Sequence, residues 1–158
     1  MENLALFLHF IGAFLLVSGT VVAAVAFECG RKRSVPNEIA AILGLARIGA
    51  MMVGVGLILA VACGIWLVNL GDWGFNSGWI SAAFMLVFAA TVTGAIGGQT
   101  PKRARLLASK LAGEGGQITD ELRGLLNDRR ALVLNYASGL LMVALIVVMV
   151  WKPGAAGS

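Results

Sequence analysis

The chain has 158 residues, of which 59% are hydrophobic and 13% are charged, and its mean hydropathy is +0.89. A soluble protein of this size is excluded, because no soluble core could enclose so much apolar surface. The net charge of +4 does not indicate nucleic-acid binding, since the basic residues adjoin apolar segments instead of covering one folded surface. We therefore predict one integral membrane domain over residues 1–158 that binds no nucleic acid.

The first two apolar segments are each long enough to cross a hydrocarbon layer of ~30 Å, which needs about 20 residues. The first covers residues 3–27 and is predicted to be an uncleaved helix, because the basic cluster at residues 31–33 follows it instead of preceding it. The second helix is expected to begin near Pro36 and to span the membrane over residues 47–70. Arg47 is then expected at the inner interface, and an anion clamp is the alternative role for it.

The third and fourth spans are predicted over residues 79–98 and 131–151. Between them, Thr100 and Pro101 are typical of a helix start. Residues 102–112 alternate leucines with basic residues, which predicts an amphipathic helix lying along the inner membrane surface. The predicted fold class is all-α, a four-transmembrane-helix bundle with this inner-surface segment between its third and fourth spans.

The distribution of charge predicts the orientation of the bundle. Every Lys and Arg except Lys152 lies in or beside the two connections that follow the first and third spans, so these connections are expected inside. Both termini are then outside, in a bacterial-type cytoplasmic membrane. The four tryptophans agree, because each falls near a predicted outer end, where an amphipathic ring prefers the headgroup level.

Small residues recur at a spacing of four in two of the spans. Ala46, Ala50 and Gly54 form one ridge, and Ala90, Gly94 and Gly98 form another. Such ridges allow helix backbones to approach closely in lipid, where no hydrophobic force holds helices together. The sequence leaves open whether they make contacts within the bundle or a homodimer face.

His9 is the single histidine and the leading functional candidate. It shares one face of the first helix with Gly12 and Leu16, and it lies ~9 Å inside Asn3 at 1.5 Å per residue. An ionisable group at that depth indicates a functional site by default. The alternative is a neutral imidazole that is hydrogen-bonded to a carbonyl or hydroxyl group on a neighbouring helix.

Sulfur donors at comparable depth are candidate partners for His9. Cys63 together with His9 would suit Cu(I), and Met142 or Met149 together with His9 would suit haem iron, so haem b is the predicted cofactor and copper the alternative. A bis-histidine haem would need a second chain, because this chain has one histidine. Cys29 and Cys63 are expected too far apart for a disulfide.

Four short segments carry a resemblance to a known family: residues 8–13, the basic turn after the first span, residues 100–103 and residues 150–153. They resemble a family of small predicted integral membrane proteins of unknown function, which is distantly similar to CopD-type copper-resistance domains and to HemJ-type protoporphyrinogen oxidases. This resemblance implies a histidine in the first helix as a haem or copper ligand, and it carries over to His9 alone.

The leading functional hypothesis is a membrane protein that binds b-type haem, or copper, through His9 and serves in electron transfer or metal handling. Two alternatives remain open: a non-catalytic accessory subunit and a HemJ-like oxidase acting on a porphyrinogen. The expected partners are the lipid bilayer and either a second copy of the chain or a larger membrane complex.

Overall fold

The protein was analysed as a computed structural model, which describes residues 2–71 and 77–153. All regular elements in these ranges are helices: α1 (Glu2–Arg31), α2 (Pro36–Leu70), α3 (Gly78–Gly97), α4 (Gln99–Gly113), α5 (Asp120–Leu126) and α6 (Arg129–Trp151). Four segments are long and apolar enough to cross a membrane, namely α1, α2, α3 continued by α4, and α6 preceded by α5. The predicted four-span, all-α architecture is confirmed.

The helix boundaries follow local chemistry. Pro36 opens α2, where its missing N–H costs no helical hydrogen bond. The Thr119 hydroxyl accepts a hydrogen bond from the Leu122 amide at the start of α5, and the Asp128 carboxylate accepts one from the Arg130 amide at the start of α6. These caps define α5 and α6 as two separate helices, the first polar and the second apolar.

The length of α2 gives the bundle a region that extends past the membrane. Its 35 residues correspond to ~52 Å at 1.5 Å per residue, well beyond a hydrocarbon layer of ~30 Å. The excess lies at the end of the bundle where α1 finishes and where α4 and α5 are located, here called the basic end. The opposite end, where α1 begins and α6 finishes, is called the terminal end.

The basic end has an apolar core of its own. Its buried members come from four helices: Phe27, Ile39, Leu43, Ala104, Ala108, Leu122 and Leu126. The apolar side of α4 therefore packs against α2 and α5. Its place along the inner membrane surface stays a prediction. The first turns of α2 supply Ile39 and Leu43 as an apolar surface that α4 covers.

Within the membrane region the helices form two antiparallel pairs. α1 and α2 contact each other along much of their length, and α3 contacts α6. Contacts between the pairs are few: α1 touches α6 at a small number of positions, and α2 scarcely meets α3. The pairs are joined mainly at the basic end by α4, and at the terminal end by a cluster of Val68, Trp79 and Ile80.

Glycines bring α1 and α2 to backbone contact. A Cβ atom added at Gly12 would lie 2.5 Å from the Ala60 amide nitrogen, and one at Gly19 would lie 2.6 Å from the Gly49 carbonyl oxygen. Real Cβ atoms do not approach backbone atoms so closely, so no larger residue fits at these positions without moving a helix.

The predicted ridges of small residues behave differently. A Cβ atom added at Gly54 would meet nothing within 4 Å, and Ala46, Ala50 and Gly54 line a cavity instead of packing against another helix. On α3, Gly94 does pack within the bundle, since an added Cβ would lie 3.0 Å from the Ser138 hydroxyl oxygen. The prediction of close helix contact is thus wrong for the α2 ridge and right for part of the α3 ridge.

Candidate ligand-binding cavity

A cavity of about 460 Å³ lies between the two helix pairs, in the half of the bundle next to the basic end. This volume is in the range of small-molecule binding sites. Small residues leave the space because their side chains do not fill the gap between the pairs. Those lining it include Ala23, Ala46, Ala50, Gly54, Ala90, Gly94, Ala95 and Gly98.

The cavity is open on the side between α2 and α3. The lining residues Ala50 and Gly54 on α2, Ala95 on α3 and Gly98 directly after α3 are exposed. These helices meet chiefly at the terminal end, through Val68, Trp79 and Ile80, so the described residues leave the space between them open beside the cavity. In a bilayer this opening faces the lipid.

Three basic side chains line the cavity at its basic end: Arg47, Lys102 and Arg105. None of them forms an ion pair with a carboxylate in residues 2–71 and 77–153, and no acidic residue lines the cavity. Arg47 and Lys102 are exposed and Arg105 is partly buried. Three unpaired cations at one end of a cavity create a positive potential that attracts an anion. The anion-clamp role of Arg47, set second in the sequence analysis, is the one that this geometry favours.

The middle of the cavity carries a few polar groups. Ser138 is buried, and its hydroxyl donates to the Ala90 carbonyl oxygen at 3.0 Å, which links α6 to α3. The Thr20 and Thr91 hydroxyls donate to carbonyl oxygens of their own helices. The Asn135 amide makes no hydrogen bond with any described residue. Its Oδ1 atom faces Gly97 of α3, so the amide nitrogen is the group that Asn135 can offer to a ligand.

The far end of the cavity is apolar and closed. Leu16 and Ala90 are buried there with Met142, and the partly buried Leu57 packs against them. The cavity is thus polarised, with cations at one end, a few hydroxyl and amide groups in between, and hydrocarbon at the other end. This polarity matches a molecule that has an anionic head and an apolar tail.

His9 lies outside this cavity, in the α1–α2 interface nearer the terminal end. Its Nδ1 atom donates a hydrogen bond of 2.8 Å to the Ala60 carbonyl oxygen, and a Cβ atom added at Gly64 would lie 3.2 Å from the Cε1 atom of His9. The ring is therefore turned toward α2, as its helical face predicted. This contact is the one expected if His9 is a neutral imidazole that only bonds to a carbonyl on a neighbouring helix. In that neutral ring, Nε2 is an acceptor.

The methionine candidates belong to two different clusters. Met142 belongs to the apolar end of the cavity, while Met149 packs near Val68 and Trp79, about 10 Å farther along α6 at 1.5 Å per residue. Cys63 is buried, and neither it nor the exposed Cys29 forms a disulfide. In the described part of the chain, no group of three or more His, Cys, Asp and Glu side chains could hold a metal ion.

The sequence reasoning missed the cavity itself. Lys102 and Arg105 were interpreted as orientation signals and as part of an amphipathic surface helix. Their position directly after the third span also predicts the same membrane depth as Arg47. That coincidence of depth, together with small residues on the adjoining turns of α2 and α3, was the available signal. It could not show that the small residues face a common space.

The chain belongs to the DUF2269 family, described as a predicted integral membrane protein, and the match covers residues 3–153. No curated protein and no solved structure matches the chain. The family confirms the resemblance to small integral membrane proteins and the multi-pass membrane character, and its description assigns no activity.

Proposed function

We propose that this protein binds an anionic amphiphile in its central cavity, within a bacterial-type cytoplasmic membrane whose inner side faces the basic end. The observation that supports this proposal is the set of three unpaired cations at one end of an otherwise largely apolar, laterally open cavity. The acidic head would contact Arg47, Lys102 and Arg105. The apolar tail would extend past Asn135 toward Met142.

The charge arrangement favours a binding role over a purely structural one. Guanidinium groups form bidentate hydrogen bonds with carboxylates and phosphates, and charge-assisted hydrogen bonds contribute about 1.5–3 kcal/mol each. A basic residue that only sets the orientation of a membrane protein has no reason to face a cavity. Arg103 and Arg123 are examples, because they are exposed and do not line the cavity.

The test is binding of a fluorescent single-chain carboxylate amphiphile to the purified protein in a neutral detergent. We expect Arg47→Gln with Arg105→Gln to weaken binding by about tenfold or more, since losing ~1.4 kcal/mol already raises Kd tenfold. The matched control is Arg103→Gln with Arg123→Gln, which removes the same charge outside the cavity lining. An equal loss in both double variants would show non-specific charge attraction and would refute the site.

A second candidate function is haem b binding through His9, with copper as the alternative metal, in electron transfer or metal handling. The hydrogen bond from Nδ1 to the Ala60 carbonyl favours it, because metal-ligating histidines commonly donate their other ring nitrogen to such a carbonyl and present Nε2 to the metal. Met142 and Met149 belong to different clusters, so a ligand opposite His9 would come from a second chain or from one of them after rearrangement.

A visible spectrum of protein purified from haem-replete cells tests this candidate. Haem binding predicts a Soret band that His9→Ala abolishes and Met149→Leu retains, and metal analysis of the same preparations tests copper. A colourless, metal-free protein would exclude both and would favour an accessory subunit. A HemJ-like oxidase would additionally have to restore porphyrinogen oxidation in a deficient strain.

A further inference from the structure

We infer that the occupant of the cavity is a phospholipid of the surrounding bilayer, whose phosphate lies at Arg47, Lys102 and Arg105 and one of whose acyl chains enters sideways between α2 and α3. This inference rests on the proposed anion site and adds the class of ligand and its route. A ligand that arrives from water would need an opening at the basic end. The lining residues Arg47 and Lys102 are exposed at that end, but they are charged. The exposed lining residues Ala50, Gly54 and Ala95 offer an apolar route along the α2–α3 gap.

The depth of the cavity fits one leaflet. Arg47 and Leu57 are ten residues apart on α2, or ~15 Å at 1.5 Å per residue, which is half of a hydrocarbon layer of ~30 Å. An acyl chain whose headgroup lies at the interface therefore reaches the closed end formed by Leu57 and Met142. A ligand drawn from the other leaflet would place its charge at that apolar end.

The gap also has the shape that a two-chain lipid requires. On the opposite side α1 approaches α6, where the Tyr136 hydroxyl donates to the Glu28 carboxylate at 2.9 Å beside the lining residue Asn135. One chain can lie against Ala50, Gly54 and Gly94. The second chain would remain in the bilayer, beside the exposed Ala50 and Gly54 on α2 and Ala95 on α3.

The head group is assigned from charge. A phosphate offers several acceptor oxygens to two guanidinium groups and one ammonium group, which suits bidentate and point-charge contacts together. An anionic phospholipid keeps its net negative charge, whereas a choline head adds a cation beside Arg47 and Lys102. We therefore expect phosphatidylglycerol to be preferred over phosphatidylcholine.

Photocrosslinking in nanodiscs tests the inference. The probe is phosphatidylglycerol with a photoreactive diazirine at the end of one acyl chain, and the product is mapped by mass spectrometry. We expect labelling of the α6 segment that contains Met142 and of the α2 segment that contains Leu57. The phosphatidylcholine analogue should label these segments about tenfold less, in line with the loss of ~1.4 kcal/mol of charge interaction.

Gly54→Leu supplies the decisive variant, because its added side chain projects into open space and should obstruct the cleft without displacing another helix. Gly44→Leu is the matched control: it lies on the same helix, also meets nothing within 4 Å, and does not line the cavity. We expect Gly54→Leu, and independently Ala50→Leu, to abolish labelling near Met142 while Gly44→Leu retains it.

Several results would overturn the inference. Equal labelling in the Gly54→Leu and Gly44→Leu proteins would exclude chain insertion, even if the soluble amphiphile still depended on Arg47 and Arg105. Labelling confined to lipid-facing side chains such as Phe14 and Phe88 would do the same. Crosslinks at Gly54→Cys that join two copies of the chain would show that a second protomer fills the gap.

Discussion

Two faces of α2 are built from small residues, but one packs closely against α1 and the other borders an open cavity. Toward α1, Gly49 and Gly56 of α2 lie at backbone contact with Gly19 and Leu16. Toward α3, Ala50 and Gly54 border an open cavity. One face makes the tightest helix contact in the described structure, and the other leaves a space large enough for a ligand.

This difference shows that small residues permit close packing but do not impose it. Contact between α1 and α2 needs glycines at matching heights on both helices, which Gly12 with Gly56 and Gly19 with Gly49 provide. The corresponding residues of α3 are engaged elsewhere, since Gly94 and Gly97 face Ser138 and Asn135 of α6. With α3 committed to α6, the small residues of α2 on that side have no partner.

The largest effect on stability is expected for Gly56→Ala, which disrupts the close contact between α1 and α2. Its Cβ would lie 2.6 Å from the Leu16 amide nitrogen and 2.7 Å from the Gly12 carbonyl oxygen, so α1 and α2 must separate. We expect a loss of about 3 kcal/mol in the free energy of unfolding, the upper part of the usual range for overpacking. Thermal or denaturant unfolding in detergent measures it, and an unchanged stability would mean that this interface is not close-packed.

The contact between α3 and α6 should be more tolerant, because a hydroxyl group and not a backbone lies opposite Gly94. Ser138→Ala removes the hydrogen bond to the Ala90 carbonyl and should cost about 0.6 kcal/mol, the average for hydrogen bonds between membrane helices. The same unfolding assay applies, with Ser18→Ala as a control that changes only a hydroxyl bonded to its own helix. A loss as large as that of Gly56→Ala would contradict the ranking.

Gly54→Ala should stabilise the protein, whereas Gly56→Ala should destabilise it. The added methyl group meets no atom within 4 Å, and alanine favours the helix over glycine, so a gain of about 0.5 kcal/mol in stability is expected. Paired with Gly56→Ala, this variant compares two glycines that are two residues apart on one helix. A destabilisation of similar size in both would show that the gap between α2 and α3 closes in the membrane.

Tyr136→Phe tests the side of the cavity where α1 approaches α6. It removes the hydroxyl that donates to the Glu28 carboxylate, while Arg31 still binds that carboxylate at 3.0 Å. Because Tyr136 is exposed, we expect a smaller decrease in Tm than for Ser138→Ala. If the Tyr136–Glu28 contact keeps the cavity closed on this side, Tyr136→Phe should increase labelling of the cavity by the photoreactive lipid through the gap between α1 and α6. No increase would mean that helix packing alone closes this side.

Much of the fold follows from the sequence. Uncharged apolar runs of about 20 residues have few stable forms in lipid other than spanning helices, so the four spans were predictable. The inward turn of His9 also followed from helical periodicity, because Gly12 and Leu16 share its face. The acceptor for its Nδ1 proton did not, since pairing with the Ala60 carbonyl depends on the offset between α1 and α2.

The candidate site was less predictable. The sequence predicts Met142 as a soft metal ligand, and the structure puts it at the apolar end of the cavity. Arg47 and Lys102 were separated by more than fifty residues and seemed to belong to two different connections. Only the packing of α4 against α2 brings them to the same cavity.

The sequence by itself determined that this chain crosses a membrane four times and that its basic residues collect at one end, because hydropathy and charge act on each segment separately. The tertiary structure decided which glycines touch and which small residues leave a cavity. That choice depends on the relative height and rotation of neighbouring helices, and these are fixed by steric fit between distant segments, which no local pattern encodes.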